Sequence, residues 1–418
     1  MKPFLRSYKA QSISLLMIWM VAMAFSAEFI LSQVMILFVA LALFEGRRGF
    51  PWLQWRSTLP ESTRQWWNYR PYLFVAIPFF LVVISAFWSS DFSYTLERLR
   101  IKLPFLVLPW AIAGIPQLSR REYHFVLSFL LVLMTVACLY VGFNYLVHFH
   151  EINDLIGKGK PIPTPSNHIR FSLMLCFAIL SGMVLVKEGF YIRSSLERWL
   201  LLAMTLFLLV FIHVLSVRSG LLVLYLAFMV WLLRYVFLTR RWGIAVVLGM
   251  LLVLLPTVAY QLLPSFRTKI AYARWDLLQH QRGTGSNYSD SERLISWQVG
   301  WEIGKENPFF GVGAGDLKEE IKKKYAILFP EVENPKMPHN QFLTHFAGTG
   351  LFGLVLALGG FFYPLFYRKN FREPLFLALH VVVFVSFLME NTLENNFGVS
   401  FYLLFLLLCL DQLRERAP

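Results

Sequence analysis

The sequence predicts an all-α polytopic membrane protein of about twelve transmembrane helices, and three observations carry that prediction. Of 418 residues, 57% are hydrophobic and only 15% are charged, whereas soluble domains carry about 25% charged residues. Apolar runs close to the roughly 20 residues that span a bilayer recur along the chain. The lysines and arginines between the runs fall on alternate loops, as the positive-inside rule requires of a chain threaded back and forth. The chain reads as a single transmembrane domain over 1–418, with one long loop at 263–341 between the ninth and tenth runs.

In chain order the runs lie near 12–28, 29–44, 72–88, 101–116, 124–147, 168–187, 199–216, 219–238, 243–262, 342–366, 375–390 and 398–413. Ala27 and Glu28 leave almost no loop inside the first pair. Lys2 to Lys9, an apolar run and Ala22-Met23-Ala24 also fit a signal peptide. The second apolar run that follows at once favours an uncleaved helix. One set of loops carries Arg47, Arg48, Arg56, Arg64 and Arg70, then Arg120 and Arg121, Lys187, Arg193 and Arg198, Arg240 and Arg241, and Arg368, Lys369 and Arg372. With twelve spans these loops and both termini share one side, which the rule makes cytoplasmic. The loop 263–341 then lies outside; its lysines do not object, because long loops translocate largely regardless of charge. The net charge of +14 is accounted for by a bilayer partner and calls for no nucleic acid.

The long loop is patterned. Ser289-Asp290-Ser291-Glu292 reads as a capping box, followed by Leu294, Trp297, Trp301 and Ile303 as an apolar stripe of near-helical spacing. Asn307-Pro308 ends that helix. Asp316 can cap a second helix, with Leu317, Ile321, Tyr325 and Leu328 on one face and Lys322, Lys323 and Lys324 opposite. Two such helices form either a lid over a lipid-facing cavity or a cap outside the chemistry. Gly311-Val312-Gly313-Ala314-Gly315 lacks the lysine of a phosphate loop and reads as a tight turn before a phosphate cradle.

Met337-Pro338-His339-Asn340 closes the loop and opens the apolar run Phe342 to Phe366. That sets an imidazole, whose unperturbed pKa is about 6.5, where a membrane helix meets water. There it can serve as a proton acceptor for a lipid-borne substrate or as a structural group. Arg170, Arg218 and Arg293 lie on the same outer face, as do Arg98, Arg100 and Lys102. An arginine near hydrocarbon usually has a partner or a task, and its planar fork suits phosphate oxygens; it can also snorkel to lipid phosphates. Glu390 and Glu394 can partner these cations or touch sugar hydroxyls, and Arg293 can pair with Glu292 or another carboxylate. His345 reads as a core histidine, and His168, two residues before Arg170, as either. Cys138, Cys176 and Cys409 lie inside apolar runs and read as small core residues. No HExxH, CxxC or Walker loop occurs, and the sequence calls for no cofactor and no metal.

Together these elements resemble the O-antigen ligase family (WaaL), within the ligase and polymerase superfamily of bacterial polysaccharide assembly. His339-Asn340, nine residues, then Gly350-Leu351-Phe352-Gly353 match its pattern of His, an amide or serine, nine residues, Gly, two residues, Gly. Asn307-Pro308-Phe309-Phe310-Gly311 resembles a preceding element, and Arg293-Leu294-Ile295-Ser296-Trp297 and Ser216-Val217-Arg218-Ser219 resemble two arginine elements. The resemblance implies an inverting, metal-independent GT-C-type glycosyltransferase of a Gram-negative inner membrane. It would move O-antigen from undecaprenyl diphosphate to lipid A–core at the periplasmic face. His339 would be the base and Arg218 and Arg293 the diphosphate contacts. Arg170 would be a third contact, and Asn340 would orient the histidine or a sugar. An O-antigen polymerase, a protein O-oligosaccharyltransferase and a lipid-linked glycan flippase are the alternatives.

Overall fold

The computed structural model describes residues 2–46, 53–189, 194–281 and 289–414. The chain is helical almost throughout. It opens with α1 (Lys2–Ala24) and α2 (Glu28–Leu43), then a small antiparallel ribbon of β1 (Phe44–Gly46) and β2 (Leu53–Trp55) that pairs Phe44 with Trp55 and Glu45 with Gln54. Next come α3 (Leu59–Asn68), α4 (Arg70–Val75), α5 (Ile77–Ser85), α6 (Phe92–Lys102) and α7 (Pro104–Ala113), followed by α8 (Arg120–Val147), α9 (Phe149–Gly157) and α10 (His168–Glu188). The hairpin α11 (Ser195–Leu215) and α12 (Arg218–Thr239) leads to α13 (Trp242–Leu262). The long segment carries α14 (Pro264–Gln281), α15 (Ser289–Glu306) and α16 (Leu317–Leu328). The chain closes with α17 (Gln341–Phe366), α18 (Pro374–Met389) and α19 (Asn396–Arg414).

Among the described residues, seven helices are long and apolar enough to cross a bilayer: α8, α10, α11, α12, α13, α17 and α19. The apolar parts of α1, α2 and α18 are shorter. The predicted spans 72–88 and 101–116 are each broken into elbows, α4–α5 and α6–α7. Pro78 and Pro104 start the second arm of each elbow. Proline lacks the N–H an interior turn needs and clashes with the carbonyl four residues back, so a new helix begins there. α10 and α19 form the centre of the bundle: Phe171 to Leu180 and Phe397 to Leu410 are buried. α13 keeps most of its apolar surface outward, with Met250 and Val253 exposed, the pattern of a helix that faces lipid.

The long segment departs from its sequence reading in register. α15 buries Ile303 as expected, but with Ile295 and Val299 in place of Leu294 and Trp301, and packs the three with Leu317, Ile321, Tyr325 and Ala347. Leu294 and Trp301 are exposed. The helix turns this way because Ser296 and Trp297 face the start of α17, as described below. Leu328 is exposed too, while Leu317, Ile321 and Tyr325 are buried as expected. Asp316 stands at the start of α16, but its carboxylate does not cap that helix. It crosses to accept from the Ser90 and Asp91 N–H groups, at 2.8 and 2.7 Å, and so caps the turn that opens α6. The Ser289 capping box falls on side chains outside the described residues. α3, α9 and α14, which apolar periodicity did not reveal, occupy segments read as loop.

The glycines form a junction. α17 is interrupted at Gly350, where φ is 65°, and the 308–313 strand of backbone lies along the break. The Val312 N–H donates to the Ala347 carbonyl, Gly313 N–H to Gly348, Leu351 N–H to Pro308 and Phe352 N–H to Phe309. A Cβ on Gly350 would stand 2.2 Å from the Phe309 carbonyl, and one on Gly311 (φ 66°) 2.5 Å from the Gly348 carbonyl carbon. No other residue fits either position. The glycine-rich run is therefore a backbone splice into α17, and the carbonyls and N–H groups that the break would leave unpaired are satisfied by it.

Candidate active site

Helix ends gather at one end of the bundle: the first turns of α10, α12, α15 and α17 and the last turn of α18. His339 stands just before α17. α15 holds its backbone from both sides, because the His339 N–H donates to Ser296 Oγ (3.1 Å) and Trp297 Nε1–H donates to the His339 carbonyl (2.8 Å). Asn340 is the N-cap of α17. Its Oδ1 accepts from the Phe342 and Leu343 N–H groups, and its Nδ2 reaches the Leu388 carbonyl of α18 at 3.3 Å. The carboxamide thus fixes the angle between the two helices whose ends carry His339 and Glu390.

Glu390, one residue past the end of α18, is the centre of the arrangement. One carboxylate oxygen lies 3.0 Å from His339 Nδ1 and the other 2.8 Å from Arg293 Nη2. Burial opposes its ionisation, but the hydrogen bond and charge of His339 and the charge of Arg293 hold its pKa below the usual carboxylate value. A carboxylate only accepts, so whenever the imidazole is neutral its proton sits on Nδ1 and the lone pair lies on Nε2. The His339 side chain keeps 26% of its surface exposed, enough for a substrate hydroxyl to reach it.

Two cavities flank this chain of contacts, and Ile169 lines both. The first, about 130 Å³, is walled by Lys160, His168, Arg218, Lys269 and Arg293, and among the described residues no carboxylate lines it. Arg218 opens α12 two residues after Ser216, whose left-handed backbone (φ 53°) ends α11. The Ser216 hydroxyl holds the turn through the His213 carbonyl at 2.7 Å, and Ser265 Oγ holds it through the Val214 carbonyl at 2.8 Å. The N-terminal turns of α10 and α12 add their partial positive charge to four cationic side chains, a setting for a multivalent anion. The second cavity holds Arg170 with Asn167, Glu390, Asn391 and Asn395. Arg170 is thus placed one cavity away from Arg218, on the other side of Ile169.

A second carboxylate supports the same turn from below. Glu394 pairs with Lys102 at 2.8 Å and Arg98 at 3.4 Å, and Gln341 Nε2 donates to it at 2.9 Å. Gln341 Oε1 also accepts from the Leu393 N–H. Residues 390–394 are therefore pinned to α6 and to the first turn of α17. His345 is buried beside Gln341 (3.3 Å), as its reading as a core histidine supposed. Cys138, Cys176 and Cys409 are buried as well. Glu390, read from the sequence as a possible partner of the arginines, does pair with Arg293; its contact with His339 and the cavity lysines Lys160 and Lys269 were not read from sequence. Glu390 had one visible signal, an acid at the outer end of an apolar run; the lysines had none.

The fold is that of an all-α, multi-pass membrane protein, with the His339–Glu390–Arg293 contacts and a cationic cavity at one end of its bundle. Residues 201–358 match the family model described as O-Antigen ligase. The match bears out the resemblance read from the motifs and supports a role in glycan transfer of the O-antigen and lipopolysaccharide kind. It spans Arg218, Arg293, His339 and Gly350, and stops before Glu390. No curated protein matches the chain.

Proposed function

We propose that this protein is an O-antigen ligase of the GT-C type. It transfers O-antigen glycan from undecaprenyl diphosphate to lipid A–core at the periplasmic face of the inner membrane, with inversion and without a metal. The His339–Glu390–Arg293 chain beside the cationic cavity is the observation that carries this reading. Arg218 and Arg293 grip the diphosphate. The acceptor hydroxyl attacks the anomeric carbon, its proton passes to His339 Nε2, and the bond from that carbon to the diphosphate oxygen breaks. Charge grows on the leaving diphosphate just where fixed cations and helix ends already point, so little reorganisation is needed at the transition state. Glu390 stabilises the imidazolium that forms. Arg170 binds substrate from the neighbouring cavity, and Asn340 orients the histidine through its hold on α17 and α18.

The test is reconstitution of purified wild type and His339→Ala with undecaprenyl diphosphate-glycan and lipid A–core, with EDTA present. Modified lipid A–core should form with the wild type and fall by about 10²- to 10⁴-fold with the variant, the usual worth of a positioned base. Equal product from both would remove His339 from the chemistry. Longer lipid-linked glycan in place of modified core would make the protein a polymerase. No product with either acceptor lipid would point to a protein acceptor or to transport.

A further inference from the structure

The cavity around Arg170 has a chemistry of its own. Asn167 and Arg170 of α10, Glu390, Asn391 and Asn395 wall it, and Phe397 and Phe401 of α19 are its apolar floor. Three carboxamides stand where the neighbouring cavity has lysines. Among the described residues, Asn167 and Asn395 meet the protein through their carbonyl oxygens: Oδ1 accepts from the Ile169 N–H at 3.0 Å and from the Gly398 N–H at 2.9 Å. Both NH₂ groups are left for a ligand. Asn391 engages the protein through its backbone, whose carbonyl accepts from the Glu394 N–H at 3.0 Å; its carboxamide lines the cavity. The Arg170 guanidinium lies over the Phe397 ring, 5.3 Å from its centroid.

Carboxamides offer a donor and an acceptor side by side, the complement of adjacent sugar hydroxyls, and an aromatic floor suits the apolar face of a ring. We infer that this cavity is a pyranose subsite that seats a sugar ring of one substrate at the reaction centre. The inference rests on the glycan-transfer reading and deepens it. Glu390 belongs both to the cavity and to the contact with His339, so a ring seated there lies next to the base. The two cavities divide the labour: the cationic one takes the diphosphate and this one a sugar, with Ile169 between them.

The sugar is either the donor residue attached to the diphosphate or the accepting residue of the core, and one set of measurements separates them. Wild type, Asn391→Ala and Arg170→Gln are compared in nanodiscs for the Kd of undecaprenyl diphosphate-glycan, the Kd of sugar-free undecaprenyl diphosphate and the KM for lipid A–core. Loss of one hydrogen bond predicts a change of roughly 3- to 10-fold for Asn391→Ala. Weaker binding of the glycan-bearing donor, with sugar-free lipid unchanged, assigns the cavity to the donor ring. A raised KM for lipid A–core with both donor constants unchanged assigns it to the acceptor ring. Equal weakening of both undecaprenyl lipids would make the cavity an anion site and overturn the inference, as would three unchanged constants in both variants. Lack of product from the wild type would instead sink the glycan-transfer reading, which the binding constants do not require.

Discussion

At the scale of the residue, the site depends on Glu390 more than on any group that sequence pattern singled out. Its two oxygens serve His339 and Arg293 separately, so one acid positions both the imidazole proposed as the base and the arginine proposed to hold the diphosphate. Glu390→Gln keeps the shape but removes the charge that faces the developing imidazolium. A charge-assisted hydrogen bond contributes about 1.5–3 kcal/mol, so kcat should fall about 10- to 100-fold, with the KM for lipid A–core little changed. Steady-state kinetics decide; an effect confined to KM would make Glu390 a binding group. His339, Arg218 and Arg293 were legible in the sequence because each sits in a short element at a helix start. Glu390 was legible only as a possible partner, because which cation it meets depends on how α15 lies across α17 and α18, and no local pattern encodes that.

Glu394 does for the turn what Glu390 does for the base. Burial raises the cost of its charge, but Lys102 and Arg98 outweigh it and bring its pKa to about 2, from an ordinary 4.5. A carboxylate whose folded pKa is depressed stabilises the fold above its unfolded pKa and loses that contribution as pH falls through the folded one. The contribution is therefore complete above about pH 4.5 and fades towards pH 2. At neutral pH, Lys102→Met should cost about 3–5 kcal/mol, since it strands a buried carboxylate, while Lys102→Met with Glu394→Leu should cost much less. Thermal unfolding in detergent across pH 2–7 measures both; a double variant as unstable as the single one, or a wild type indifferent to pH below 4.5, would show that the pair does not hold the turn.

At the scale of the element, α15 and the Gly350 break explain why three of the short motifs stand in this order. Arg293, Ser296 and Trp297 lie in one turn of α15 and contact Glu390, the His339 N–H and the His339 carbonyl in that order. Asn307 to Gly311 supplies the backbone that repairs α17 at Gly350. The spacing from His339 to Gly350 is thus the length of helix between the base and the splice. Gly350→Ala would place a Cβ against the Phe309 carbonyl at positive φ, so it should destabilise the protein by at least about 1 kcal/mol and loosen the start of α17. A lowered unfolding temperature together with lost transfer activity is the expected result; an unchanged melting temperature would show that the splice does not form. The expected stripe Leu294, Trp297, Trp301 and Ile303 caught the buried face only at Ile303, because hydrophobicity ranked Trp297 and Trp301 above Ser296. Ser296 is buried because it hydrogen-bonds a backbone N–H, a reason composition cannot display. The elbows α4–α5 and α6–α7 were hidden likewise, since proline at the first turn of a helix and proline inside one look alike in an apolar run.

At the scale of the whole molecule, the class was plain from composition, and orientation is the property that charge alone predicts. The site lies at the end of the bundle where α11 finishes and α12, α10 and α17 start, opposite the Arg120, Arg198 and Arg372 end. If the positive-inside rule holds, the site faces the periplasm and the start of α11 the cytoplasm. The three native cysteines are buried, so the wild type should give little background with a membrane-impermeant maleimide. Lys322→Cys on α16 gives up only an exposed pair with Glu319, a contact of about 0–1 kcal/mol, and Arg198 is exposed at the start of α11. In intact spheroplasts Lys322→Cys should label and Arg198→Cys should not; in inside-out vesicles the order should reverse. The same result fixes more than topology, because the proposed reaction needs the donor lipid and the core to meet on the face where the cationic cavity opens. Labelling of Arg198→Cys from outside would put His339 and both cavities in the cytoplasm and end the ligase reading, whatever activity was seen in detergent.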